Sequence, residues 1–214
     1  MKKRHSHYCP IARTLDLVGD RWSLLILREV LFGDQRFVDL REHLPGISPT
    51  LLTERLQALT AAGLVATREL PPPAARTVYT ATAKTREAAP ILRAMARFGM
   101  ELLPTPRPST RVRPETAAHG ALVPYYDPDA AAGLDEVYRL VIDGRDFTLT
   151  TAPGGKVAPG REPDLTLTTP AHVILAARRG EGTLTAAIAS GVASLDGSKR
   201  AMRNFQRVFQ LAHR

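Results

Sequence analysis

Residues 46–65 read GISPTLLTERLQALTAAGLV. Ser48 is placed to cap a helix, and Pro49 suits the first helical position, where its missing N–H costs nothing. Leu52, Leu56 and Leu59 recur at spacings of four and three, so they share one face for burial. Gly63 stops the helix, and Leu64-Val65 opens an extended segment. The other face carries Thr50, Thr53, Glu54 and Gln57, with Arg55 at its flank. A short capped helix with an apolar back and a hydrogen-bonding front has the size and chemistry that the DNA major groove admits. Alone, the same pattern describes an ordinary amphipathic surface helix, so its neighbours decide.

Upstream, Asp20-Arg21-Trp22-Ser23 leads into a dense apolar run, Leu24–Leu27, which resumes at Val30, Leu31 and Phe32. A helix apolar on nearly every side belongs in a core, or is shared between core and dimer interface. Gly33-Asp34-Gln35 reads as a turn, and Phe37, Leu40 and Leu44 give a second short helix before Pro45-Gly46. Core helix, short helix, glycine-bearing turn and capped helix follow one another as in helix-turn-helix proteins. Downstream, 64–70 and 76–80 are extended around Pro71-Pro72-Pro73. Three prolines cannot pair within a sheet, so they form the tip of a hairpin. Arg68 and Arg76 flank this tip, either as solvated cations or as phosphate contacts.

These segments carry a family resemblance. Cys9-Pro10-Ile11, Trp22-Ser23 with LLILREVLFG, RFVDLREHLPGISPTLLTERLQALTAAGLV and Tyr79-Thr80 resemble the HxlR family of bacterial winged helix-turn-helix regulators, over about Tyr8–Leu103. The resemblance implies a homodimer presenting two recognition helices, with wings beside them, to double-stranded DNA at a near-palindromic operator. It places Ser48, Thr50, Thr53, Arg55 and Gln57 on or beside the recognition helix. Thr50 stands where a basic residue is common in the family, and ATAKTRE departs from the usual leucine-threonine-x-x-glycine. In 82–103, Ala88, Ile91, Leu92, Met95 and Phe98 fall near helical spacing, with Pro90 either starting the helix or kinking it. The resemblance makes this helix and the first one the dimer interface; packing within one subunit explains the stripe equally well.

The 214 residues suffice for two modest domains, and 44% hydrophobic with 23% charged residues is ordinary for a soluble protein. A formal net charge of +8 favours an anionic partner. The excess is shared, with 15 basic against 10 acidic residues in 1–103 and 14 against 11 in 104–214, so charge alone does not pick out the DNA-binding half. The start MKKRHSHYCP has no apolar run behind it, and no stretch approaches the ~20 apolar residues that span a bilayer. A single cysteine excludes an internal disulfide. The expectation is a cytoplasmic protein with no membrane contact.

Residues 104–117 are proline-rich and aperiodic, which predicts a linker between a domain at 1–103 and another at 118–214. Leu122, Val123, Tyr125 and Tyr126 suggest a short helix. Val137–Ile142, Phe147–Thr151 and Leu165–Thr168 read as strands, with turns at Asp143-Gly144 and Pro153-Gly154-Gly155. Thr169-Pro170 and Thr183 each start a helix, and Ala201, Met202, Phe205, Val208, Phe209 and Ala212 line a third. The fold class is therefore a mainly α winged helix-turn-helix domain followed by an α+β domain, an antiparallel sheet covered by helices. The layout from Asp164 to Phe209 resembles the C-terminal part of sterol-carrier-protein-like domains. That resemblance implies an apolar cavity, for which Leu140, Ile142, Phe147, Phe205 and Phe209 are the wall candidates, open equally to being a filled core.

Cys9 precedes Pro10, so it stands at a helix N-cap, where free N–H groups and the helix dipole favour a reactive thiolate. Some members of the HxlR family sense oxidants through a cysteine at this position; packing against a dimer partner is the alternative. His5, His7 and Cys9 alternate but supply only three donors, so no metal is expected. His43, His119, His172 and His213 show no partner pattern. No nucleotide loop, nucleophile elbow or carboxylate pair marks an enzyme, and no cofactor is implied. The expected function is sequence-specific regulation of transcription, with response to a hydrophobic small molecule or to oxidation. A hydrophobic-ligand carrier that uses the winged helix for dimerisation is the alternative. Glu54 on the groove side would accept from cytosine N4 or orient Arg55.

Overall fold

The computed structural model describes residues 8–71, 76–104, 112–152 and 155–211. The expected tip prolines Pro72-Pro73, half of the expected linker (105–111), the turn at Pro153-Gly154, the His5/His7 arm, Ala212 and His213 lie outside the described residues. The chain divides into two compact units, Met1–Leu92 and Arg93–Arg214.

In the first unit, α1 (Pro10–Val18), α2 (Ser23–Phe32), α3 (Phe37–His43) and α4 (Pro49–Ala61) precede a hairpin of β1 (Val65–Leu70) and β2 (Arg76–Ala81). The strands run antiparallel, with Val65 opposite Ala81 and Leu70 opposite Arg76. Gln35 and Tyr79 exchange backbone hydrogen bonds of 2.9 and 2.7 Å, adding a one-residue third strand. The core is built from Ile26, Leu27 and Val30 of α2, Leu40 and Leu44, and the α4 leucines. After β2 come α5 (Ala83–Glu87) and α6 (Ala89–Leu102). Thr82 caps α5 through the Thr85 N–H, the helix is interrupted at Ala88, and Pro90 falls in the first turn of α6. Pro90 therefore starts the main helix; it does not kink one. The boundary between the units lies inside α6.

The second unit opens with a π-helical turn at Thr116–Gly120 and a 3-10 turn at Val123–Tyr125, then α7 (Pro128–Ala131). β3 (Val137–Ile142), β4 (Arg145–Thr150), β5 (Leu165–Thr169) and β6 (Ser194–Gly197) form one sheet in the order β4-β3-β5-β6. Asp143 (φ 46°) and Gly144 (φ 78°) make a two-residue hairpin turn, the geometry that right-twisted strands select. The sheet is mixed, which corrects the antiparallel expectation: β3 and β5 are parallel, Leu140 opposite Leu167. After β4 the chain crosses to the far edge of β3 before pairing again, so β5 arrives in the same direction as β3. α8 (Ala171–Arg179), α9 (Leu184–Ala189) and α10 (Lys199–Val208) complete the unit. Tyr138, Leu140, Ile142, Leu165 and Leu167 line the covered sheet face and are fully buried. Thr169 ends β5 and does not cap α8; the Asp143 carboxylate accepts the Ala171 N–H at 3.2 Å instead. Among the described residues no helix is long and apolar enough to cross a membrane.

Candidate nucleic-acid interface

α4 is fixed from behind and at both ends. The Ser48 hydroxyl accepts the Leu51 N–H at 3.2 Å, and Pro49 occupies the first turn. At the other end Gly63 (φ 69°) takes the left-handed conformation, and the Leu64 N–H returns to the Leu59 carbonyl at 2.9 Å. Lys84 adds a cap that periodicity does not reveal, its Nζ donating to the Ala62 carbonyl at 3.2 Å. Leu52, Leu56 and Leu59 are 0–2% exposed. Thr50, Thr53, Glu54 and Gln57 are exposed on the other side. The Thr53 hydroxyl donates to the Pro49 carbonyl at 3.0 Å, so it offers its lone pairs and methyl outward.

Arg55 behaves differently from its neighbours. It is half-buried, and its Nη1 lies 3.6 Å from Asp20 Oδ2. Asp20 also accepts the Trp22 and Ser23 N–H groups at 2.9 and 3.1 Å and the Ser23 hydroxyl, so one carboxylate caps α2 and holds α4. Burial works against the charge of Asp20, but the Ser23 hydroxyl, the two amides and Arg55 together keep its carboxyl below the ordinary range. The carboxylate beside Arg55 is thus Asp20, which ties α4 to the segment before α2; of the two roles open to Glu54, the orienting of Arg55 is the one that Asp20 fills.

A second acidic anchor sits beneath the same elements. Glu29, 1% exposed, accepts from Arg28 Nε at 2.8 Å, and His43 Nδ1 lies 3.1 Å from its other oxygen. This joins α2 to α3, and gives His43 a partner that spacing did not reveal. In the first turn of α3, Asp39 receives the N-cap Arg36 N–H at 3.0 Å and the guanidinium at 2.6 and 2.8 Å; these bonds hold its carboxyl low.

The hairpin is tied down part-way along β1. Arg68 pairs with Asp34 in the turn before α3. A hydrogen bond from Thr80 and the Arg68 guanidinium keep the Asp34 carboxyl below its usual value. Arg76, exposed, faces Leu70 at the last described pair of the hairpin. The sequence-predicted residues on α4 therefore share one exposed face, whereas Arg55 and Arg68 are engaged inside the unit.

The remaining candidates lie elsewhere. Cys9 is the N-cap of α1, partly exposed and free. Leu140, Ile142, Phe205 and Phe209 lie in the core of the second unit, where Tyr138, Phe205 and Phe209 stack with centroids 5.1–6.0 Å apart. Phe147 packs at the margin, edge-on to His119 at 5.7 Å. A shallow, open depression of about 360 Å³ in this unit is lined by Asp143, Thr168, Thr169, Pro170, Val192 and Ser194, a set apart from these apolar candidates. Among the described residues no group of three His, Cys, Asp or Glu side chains is arranged to hold a metal ion.

Comparison with known proteins bears on the first unit. Residues 17–106 match the HxlR-like helix-turn-helix family. The uncharacterized HTH-type transcriptional regulator sll1512 of Synechocystis is 39% identical over 97 residues, 45% of this chain and 72% of that protein. YvaP, an uncharacterized HTH-type transcriptional regulator of Bacillus subtilis, is 34% identical over 97 residues, covering 45% of this chain and 90% of the relative. The structure of the reduced form of the transcriptional regulator YodB from B. subtilis aligns at 29% identity with a TM-score of 0.40, over 44% of this chain and 94% of that one.

Proposed function

The chain belongs to the HxlR-like helix-turn-helix family of transcriptional regulators, and from that premise we propose that it acts as a homodimer reading a near-palindromic operator with α4. The observation that carries this reading is the exposed Thr50, Thr53, Glu54 and Gln57 on a helix whose leucine face is buried. Hydroxyls and an amide bond to base edges, and Glu54 is suited to accept from a cytosine amino group while repelling phosphate. Ser48 at the helix start and Arg76 on the hairpin supply backbone contacts. Arg55 serves by orienting α4 through Asp20. The full chain, titrated against duplexes from the region upstream of its own gene, should protect two half-sites about one helical turn apart. Binding should weaken steeply as salt rises; a ligand carrier's affinity would respond little.

Dimerisation rests on α6, where Ile91, Met95, Phe98 and Leu102 are 48–70% exposed at spacings of four, three and four. Ile11 and Leu15 form a similar exposed pair on α1. Phe98→Asp should turn a dimer into a monomer by light scattering; a parent that is monomeric at micromolar concentration removes this part of the reading. Cys9 supports a response to oxidants or electrophiles through an intersubunit disulfide or an adduct. Cys9→Ser should keep operator binding and lose its release by diamide. The resemblance of 118–214 to sterol-carrier-protein-like domains stays part of the proposal, supported by the succession β5, α8, α9, β6, α10.

A further inference from the structure

We propose that the exposed face of α10 is a second, sequence-independent DNA contact that binds the phosphate backbone. The inference rests on the operator-reading function above but on different residues. Lys199, Arg200, Arg203 and Arg207 are all exposed and follow one another at helical spacing, and α10 contains no acidic residue. Its rear is fixed, because Ala201, Met202, Phe205 and Val208 are buried in the core of the second unit.

The other arginines of this unit from Arg113 onward are satisfied where described. Arg113 and Arg145 share Glu115, Arg139 pairs with Asp146, Arg161 with Asp135 and Asp164, and Arg179 with Glu181. Arg178 is enclosed by the carbonyls of Ala121, Phe209 and Gln210 and the ring of Tyr125. Arg207 donates to the Ala130 carbonyl near Asp127. Lys199, Arg200 and Arg203 have no ion pair among the described residues. Glu136, a carboxylate that bonds to this helix, is already taken by Asn204 and the Tyr138 hydroxyl.

Two physical penalties meet on this helix. Lys199–Arg203 and Arg203–Arg207 are like charges four apart, which repel. Lys199 and Arg200 also stand in the first turn, where the helix dipole favours anions over cations. A local rule broken twice without an internal partner points to an external one. The stripe from Lys199 to Arg207 is about 12 Å long, which at 3.4 Å per phosphate along the duplex axis matches about three to four phosphates of one strand. A polyanion of that pitch relieves both penalties.

Full-length protein is titrated by fluorescence anisotropy against a 40-bp mixed-sequence duplex at several salt concentrations. The triple variant Lys199→Gln/Arg200→Gln/Arg203→Gln should bind about ten-fold or more weakly, with the slope of log K against log salt shallower by about 2.7 per chain. Its melting temperature should stay the same or rise slightly, since these side chains bond to nothing described and their neutralisation relieves both penalties. Arg139→Gln, which removes a cation already paired with Asp146, is the control and should change the slope little. A triple variant with the parent's affinity and slope overturns the contact, as does one altered only in binding to anionic phosphatidylserine vesicles. A parent that binds the mixed duplex through α10 but protects no operator overturns the operator reading alone; a parent that binds no duplex overturns both.

Discussion

α4 and α10 are built alike from behind and differently in front. Each buries an apolar face almost completely, Leu52, Leu56 and Leu59 in one and Phe205 and Val208 in the other. α4 then presents Thr50, Thr53, Glu54 and Gln57, with its one arginine turned to Asp20. α10 presents four cations and no carboxylate. Burial anchors a helix but does not say what it touches; the outer residues do. Short neutral donors and acceptors suit base edges, which differ from pair to pair, and guanidinium groups suit phosphates, which do not.

The comparison breaks first at the buried faces. Phe205→Ala should destabilise the protein by about 3–5 kcal/mol and Leu56→Ala by about 2–5 kcal/mol, read by chemical denaturation. Equal losses would show that both helices are held by packing, while a near-neutral Leu56→Ala would mean that α4 is held by its caps alone. Next comes the acidic anchor under α2 and α3. Glu29→Ala leaves His43 and Arg28 without their carboxylate and should cost about 2–3 kcal/mol, less than a fully buried pair because Arg28 is partly exposed.

A smaller effect separates Arg55 from the face beside it. Arg55→Ala should lower stability by about 1 kcal/mol through the loss of the Asp20 contact. Its operator affinity, measured well below the melting temperature, should fall less than that of Gln57→Ala; the reverse order would return Arg55 to the DNA. The smallest effect is with acid. Asp20, Asp34 and Asp39 have carboxyls held below the ordinary value of 3.8, so each stabilises the fold above that pH. That contribution disappears as pH falls through the lowered values. Asp20→Asn should therefore flatten the acid limb of a melting-temperature profile between about pH 5 and pH 2; an unchanged limb would mean that Asp20 is not held by its partners.

What could be read from residues alone followed the range of the interactions involved. Ser48-Pro49, the α4 leucines and Gly63 act within one helix, and Asp143-Gly144 within one turn, so spacing and composition were enough. The parallel pairing of β3 with β5 depends on where a 14-residue connection carries the chain, and no local pattern encodes it. Arg55 illustrates the same limit at the candidate site. Its helical position gave the flank, but its partner lies 35 residues away, in the segment that leads into α2. Asp143 was legible as a turn residue and not as the cap of α8, because that bond crosses 28 residues.

The central claim is that the outer face of α4 distinguishes one DNA sequence from another. Its most direct test is the ratio of operator affinity to mixed-duplex affinity for Thr50→Ala/Gln57→Ala against the parent, at one salt concentration. The account predicts that the ratio falls about ten- to a hundred-fold, with mixed-duplex affinity and melting temperature unchanged. An unchanged ratio in a folded variant would contradict it.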